Sequence, residues 1–445
     1  MSDSPLQLSD QPMIKHVPIL TVTILSVINL FNYIDRYIIS ANLVPISTQL
    51  GFAQSETLKG LLQSAFMVSF VIMAPVFGYL LPFLSRPKLI AAGVMMWTLA
   101  SGASGIAGLA RTEVEADLSL GLTPPTWAMI AGTYGFLLAS RCFVGIGEAA
   151  FGPAAPALLS DWYSEATRGK VMAILYTAVP VGSAMGFALG GLIGWPWSFF
   201  IVVPPGIGLS IACWFLPETP SRKDRIKTET IHLDDYFYLA KCRSYVINVA
   251  AYTAATFCIG GIAYWLPTYI SETRKAVNGD TGSMMIGLII VISGLIATIA
   301  GALLADQLKN KDSGAYFKVC AWGMYLAFPA MIGVVFAPFP LAWVCLFIAC
   351  IGLFLNTGPA NTILMNVMPA KLRGLAMAVC IFVIHALGDV ISPTLIGVAG
   401  DCLPGGLDAG FLIVTFLVLV AGLIWHSGAI HLKDDMETAK SFDGN

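Results

Sequence analysis

Six ionisable residues stand where ionisable residues are costly. Asp35, Arg36, Arg141, Glu148, His385 and Asp389 each lie inside a long apolar run. A charge near the centre of a bilayer costs at least about 2.5–3.5 kcal/mol on insertion scales, so each is a candidate functional group. A carboxylate beside an arginine can hold and release a proton, because burial favours the neutral acid and the cation favours the ion. Asp35 is the expected principal proton site, with Arg36 and Arg141 as its modulators. The plainer reading of the same residues is a permanently ionised structural pair. Glu148 follows Arg141 by seven positions on one helical face, roughly 10 Å further along. That pair reads equally well as a tie within its half of the protein or as a conformational relay. His385 and Asp389 are four apart on one face. They form a second polar pair whose plainer role is to tie their helix to its neighbours. Asn32, Asp35 and Asn42 extend a polar stripe along the first run.

The elements that hold these residues must be membrane helices. Of the 445 residues, 57% are hydrophobic and 11% charged, against roughly 25% charged in a water-soluble protein. Too few charges remain to wet a soluble surface, which excludes a soluble enzyme and a disordered chain. A net charge of -2 gives no basic excess for nucleic acid. A spanning helix needs about 20 mostly apolar residues. Twelve such runs are predicted: 17–47, 57–83, 88–110, 127–158, 168–194, 197–216, 244–271, 282–306, 315–337, 340–368, 372–399 and 408–432. Pro75, Pro180, Pro267, Pro359 and Pro393 fall inside them and predict bent or broken helices. The polar stretch from Met1 to Gln11 and the length of the first run do not fit a cleavable signal peptide. Of the nine cysteines, seven sit in apolar runs and read as small hydrophobes. No metal-ligand cluster, nucleophile elbow or phosphate-binding Gly-Lys-Ser/Thr loop is present. No enzyme activity and no cofactor are expected, with protons as the coupling ion.

Orientation follows from the basic residues. With twelve crossings and a cytoplasmic N-terminus, eighteen of the 24 Lys and Arg residues fall on the inner side and four, Lys59, Arg111, Arg274 and Lys275, on the outer side. Both ends are therefore expected to be cytoplasmic, in a multi-pass protein of the inner membrane. The charged stretch 217–243 divides an N-terminal six-helix bundle, 1–216, from a C-terminal six-helix bundle, 244–445. The halves echo each other, for Arg168-Gly169 and Arg373-Gly374 both stand just ahead of an apolar helix. Paired six-helix halves are the repeat signature of a transporter with a central site.

On these residues the chain resembles the major facilitator superfamily, and within it the Spinster family. The superfamily resemblance rests on the six-plus-six plan, the Arg-Gly repeats, and Arg141-Cys-Phe-Val-Gly145-Ile-Gly147-Glu148. The narrower one rests on Asn32-Tyr33-Ile34-Asp35-Arg36-Tyr37, Gly60-Leu61-Leu62-Gln63, Ala74 to Leu80, Pro180-Val181-Gly182-Ser183, and His385-Ala386-Leu387-Gly388-Asp389 with Ser392-Pro393. The resemblance implies an all-α fold of twelve transmembrane helices in two pseudo-symmetric bundles, acting as a monomer. It implies that helices 1, 4, 7 and 10 line the path. Tyr33, Tyr37, Tyr264, Trp265, Thr357 and Asn361 then face the substrate, joined by Phe66, Met67 and Phe70 of helix 2. Spinster relatives move sphingolipid or lysophospholipid species, which implies an amphipathic small-molecule or lipid substrate, with the lipid bilayer as the surrounding partner. The alternative is a proton-coupled carrier of a soluble organic anion or drug. Two positions depart from the family pattern. Pro82-Phe83 replaces an Asp-Arg pair between helices 2 and 3, and helix 6 opens with Trp195-Pro196-Trp197 in place of an Arg. The expected cytoplasmic gate is then Asp306 near Arg168, with an easily populated inward-open state. The glycine series Gly182, Gly186, Gly190 and Gly191 reads as a face for close helix packing.

Overall fold

The computed structural model describes residues 12–81, 83–119, 127–163, 165–218, 233–275 and 279–443. Every regular element among the described residues is helical. That is the form an apolar chain must take in lipid, where each backbone N–H and C=O needs a partner within its own segment. Twelve helical spans are long and apolar enough to cross a membrane: Pro18–Ala41, Glu56–Leu80, Arg86–Leu109, Gly132–Trp162, Thr167–Ile193, Trp197–Trp214, Arg243–Thr273, Gly282–Leu308, Ala315–Phe336, Leu341–Asn366, Arg373–Cys402 and Leu407–Gly428. They are the first to the twelfth spans below. The eighth shows the lipid-facing pattern. Leu288, Ile292, Ile296, Ile299 and Leu303 recur at helical spacing and are all exposed. Such a stripe would be an error in water and is required in a bilayer.

The prolines act according to their place in a helix. Pro75 and Pro180 are carried inside unbroken helices, Glu56–Leu80 and Glu165–Ile193. Pro359 and Pro393 instead fall at the starts of new helices, Thr357–Asn366 and Ser392–Cys402. The first turn has no intrahelical use for the N–H that proline lacks. Pro267 stands near the end of Arg243–Thr268, just before a five-residue π-helix at Tyr269–Thr273. A second π-helix covers His385–Asp389. Such wide turns are frequent at functional sites.

Two compact units emerge from the packing. The first comprises 1–38, 69–189 and 193–228, and the second 39–68, 190–192 and 229–445. They do not follow the chain-order division at 217–243. The end of the first span and the start of the second pack with the second unit. The reason is backbone proximity: a Cβ on Gly60 would lie 2.4 Å from the Pro393 carbonyl oxygen, so only glycine fits there. Of the expected linker, 219–232 lies outside the described residues, as does Pro82. The remainder includes a short helix, Leu233–Lys241, with Asp234 and Asp235 in its first turn and Lys241 in its last. That order suits the helix dipole. Its Tyr238 ring meets Phe442 of the terminal helix Leu432–Asp443 at 5.2 Å. From that helix Asp435 accepts the Ser244 N–H at 2.7 Å, capping the seventh span.

Candidate functional site

The ionisable residues of the first unit pair between helices rather than along them. Asp35 and Arg36 sit on the first span, and Arg141 and Glu148 on the fourth. The Arg36 guanidinium meets Glu148 Oε2 at 2.6 Å. Arg141 Nη1 stands 3.7 Å from Asp35 Oδ2, with both side chains fully buried. Ser101 of the third span donates its hydroxyl to Asp35 Oδ1. Oriented by its hydrogen bonds, the Asn32 amide donates to both Glu148 oxygens at 3.0 and 3.2 Å. Arg141 and Glu148 share a helical face, and each has a partner across on the first span. Seven residues of helix set their backbones roughly 10 Å apart along the axis.

Glycines bring the backbones close enough for this. A Cβ on Gly147 would fall 2.6 Å from the Gly93 carbonyl oxygen, so the third and fourth spans touch beside Glu148. On the fifth span, a Cβ on Gly182 or Gly186 would fall 2.6 Å from the carbonyl oxygen of Leu30 or Ile34. This part of the predicted glycine face seats the first span directly behind its charged turn. Only one cation of the set keeps a partly open flank: 13% of the Arg36 side chain is exposed. Its guanidinium lies over the Tyr33 ring at 4.8 Å and the Phe70 ring at 5.5 Å. Such stacking suits arginine, whose planar cation is weakly hydrated. Tyr37 packs on Phe187 at 4.9 Å. The cluster sets two buried acids against two arginines, and it presents one guanidinium framed by aromatic faces.

The second unit carries the other expected residues. His385 Nδ1 lies 3.0 Å from both Asp389 oxygens on the π-helix. Both side chains are partly exposed. Gly260 of the seventh span leaves room for Asp389, where a Cβ would come within 2.4 Å. Thr357 and Asn361 are half-buried, and Asn361 donates to the Thr357 carbonyl at 2.8 Å. Four expected substrate-facing residues are instead buried: Phe66, Met67, Tyr264 and Trp265. Tyr264 donates its hydroxyl to the Lys59 carbonyl at 2.6 Å, and the Trp265 indole donates to the Pro393 carbonyl at 2.8 Å. Here they close packing within the second unit. The expected gate residues are engaged locally. Asp306 accepts from Lys309 and from Tyr316, each at 2.9 Å. Arg168 donates to the Ser160 carbonyl at 2.9 Å, at the end of the fourth span.

Ser101 carries no signal in the sequence beyond that of a small polar residue in an apolar run. Asn32 does carry one, its place on the Asp35 stripe. No group of three or more His, Cys, Asp or Glu residues able to hold a metal ion occurs among the described residues.

Comparison with known proteins agrees with this architecture. Residues 25–393 match the Major Facilitator Superfamily. A sphingosine-1-phosphate transporter of Danio rerio is 29% identical over 95% of this chain and 86% of its own length. Spinster homologue 1 of Xenopus laevis is 29% identical over 95% of this chain and 83% of its own length. Among solved structures, a bacterial homologue of the human lysosomal transporter Spinster superposes with a TM-score of 0.76 at 17% identity, covering 96% of this chain and 99% of that one. A D-xylose–proton symporter superposes with a TM-score of 0.71 at 16% identity, over 92% of this chain and 97% of its own. The match spans most of the twelve-helix chain, which belongs to the Major Facilitator Superfamily as a multi-pass membrane transporter, not an enzyme.

Proposed function

We propose that this transporter moves an amphipathic, lysolipid- or sphingolipid-like molecule by proton-coupled alternating access, as a monomer with both termini in the cytoplasm. The carrying observation is the charged cluster of the first unit: two buried carboxylates, each set against an arginine on another helix. Asp35 is the proton site. Burial works against its charge, while Arg141 and the Ser101 hydroxyl support it. Moving either partner, or admitting water, then loads or releases the proton. Arg36 is the anchor for an anionic headgroup, and the rings of Tyr33, Tyr37 and Phe70 are the bed for the adjoining apolar part. An apolar lining with a few placed polar groups is the usual form of a ligand site. The relatives that carry sphingosine-1-phosphate in their names support this class of substrate. The basic-residue bias supports the orientation.

The test is reconstitution of the purified chain in liposomes. Counterflow of a labelled lysophospholipid or sphingoid phosphate is expected, and an imposed pH gradient drives its accumulation. Asp35→Asn is expected to keep counterflow and lose the response to the gradient. A full pH response in Asp35→Asn would remove Asp35 as the proton site. Counterflow of small organic anions with none of the lipid would move the substrate to the soluble class.

A further inference from the structure

A second electrostatic device lies far along the chain from the charged cluster. The second span begins at Glu56, and a helix start leaves its first N–H groups without intrahelical partners. Asp401, at the far end of the eleventh span, supplies them. Its Oδ1 accepts the Glu56 N–H at 2.8 Å and its Oδ2 accepts the Thr57 N–H at 2.9 Å. The Ser55 hydroxyl also reaches Asp401 Oδ2, at 3.2 Å, while its oxygen accepts the Leu58 N–H at 3.2 Å. The Lys59 N–H returns to the Ser55 carbonyl. The opening of the second span is thus fully capped, and half of the cap comes from a residue more than 340 positions away.

Asp401 is badly placed for its own helix. It stands in the last turn of Ser392–Cys402, where the helix dipole disfavours a negative charge. The N-terminus of the second span favours the same charge. Asp401 therefore gains its stabilisation from the contact and not from the element that carries it. The seam beneath is built to one closeness. A Cβ on Gly60 would meet the Pro393 carbonyl oxygen at 2.4 Å, and one on Gly397 would meet the Glu56 carbonyl oxygen at 2.4 Å. Ser64 donates to the Val390 carbonyl at 2.6 Å, and Thr394 donates to the Ser64 hydroxyl at 2.8 Å. Lys59, buried to 1% exposure, pairs with Glu56 at 3.0 Å. Its carbonyl receives the Tyr264 hydroxyl.

We propose that Asp401 is a gating residue for transport: its cap on the second span, over the glycine seam of Gly60 and Gly397, holds shut the end of the path formed by the second and eleventh spans. The proposal rests on the alternating-access reading, in which helices from the two halves of the sequence must part at this end. The seam can close tightly because both backbones lack side chains where they meet. It can release because one two-pronged carboxylate carries most of its polar attachment to the start of the second span.

The test uses the full chain with its nine native cysteines replaced by alanine and with Ser64→Cys and Thr394→Cys as a reporter pair. Oxidative cross-linking is expected to be fast in the parent. Asp401→Asn weakens a charge-assisted double bond, so cross-linking should slow by about tenfold, and Asp401→Glu should restore part of it. Gly60→Ala should slow it by wedging the seam, with the cap left in place. It decides the matter if the Asp401 variant does not fold. Parent-rate cross-linking in Asp401→Asn and Gly60→Ala would overturn the proposal. Counterflow is measured on the cross-linked protein. Its arrest is expected, whereas undiminished counterflow across a locked seam would remove the alternating-access reading and leave the cap itself standing.

Discussion

At the scale of single residues, the balance between an ion pair and its dehydration governs this protein. Glu148 is fully buried and Arg36 nearly so, 2.6 Å apart. Removing one partner of a buried pair leaves an uncompensated charge and costs about 3–5 kcal/mol, whereas replacing both by apolar residues is often neutral. Arg36→Ala is therefore expected to destabilise the purified protein by about 3–5 kcal/mol, read as a fall in thermal midpoint in detergent. Arg36→Met with Glu148→Leu should recover most of that loss while remaining inactive in counterflow. Equal destabilisation by the single and double changes would show that the loss comes from the missing pair and not from the charge left behind. The depth of each residue was legible from the sequence by counting helical rise. Asp35 and Arg141 come out at about 27 and 26 Å above the inner ends of their runs, within reach of each other. The partner of Arg36 was not legible. It depends on how each helix is rotated about its axis, and membrane helices encode that rotation weakly because lipid and core are equally apolar.

At the scale of elements, glycine sets the distance between helices. Gly182 and Gly186 let the fifth span touch the first at its backbone carbonyls. Gly182→Ala is expected to cost about 1–3 kcal/mol through overpacking, and to reduce transport by displacing Asp35 and Arg36 from their partners. Gly208, on the sixth span, has open space around its would-be Cβ. Gly208→Ala should be neutral or stabilising by up to about 1 kcal/mol, the gain in helix propensity. Thermal midpoints and initial rates of the two variants separate packing from propensity. Equal effects at the two positions would contradict the close approach at Gly182. The small-residue spacing in the fifth span was visible in the sequence. Its target on the first span was not, since a stripe of small residues fits any helix that comes near.

At the scale of the whole molecule, topology can be checked without knowing the substrate. Cys402 is exposed at the end of the eleventh span, and Cys242 is half-buried ahead of the seventh. In sealed cells, a membrane-impermeant maleimide is expected to label Cys402 from outside, and Cys402→Ser should abolish the signal. Cys242 should be reached only in inverted vesicles. Labelling of Cys242 in sealed cells and of Cys402 only in inverted vesicles would reverse the orientation drawn from the basic residues. The compact units show what chain order conceals. Residues 39–68 precede the linker by more than 140 positions, yet they pack with the second unit.

The sequence by itself determined that the chain lives in a membrane, that it crosses twelve times, and that a few charges lie at depth. Those conclusions need only composition, run length and helical rise, which are local quantities. Tertiary structure alone decided that Arg36 meets Glu148, that Tyr264 and Trp265 are buried in packing, and that Asp401 caps the second span. Each depends on the rotation and contact of segments far apart in the chain, and a uniformly apolar helix carries almost no record of either.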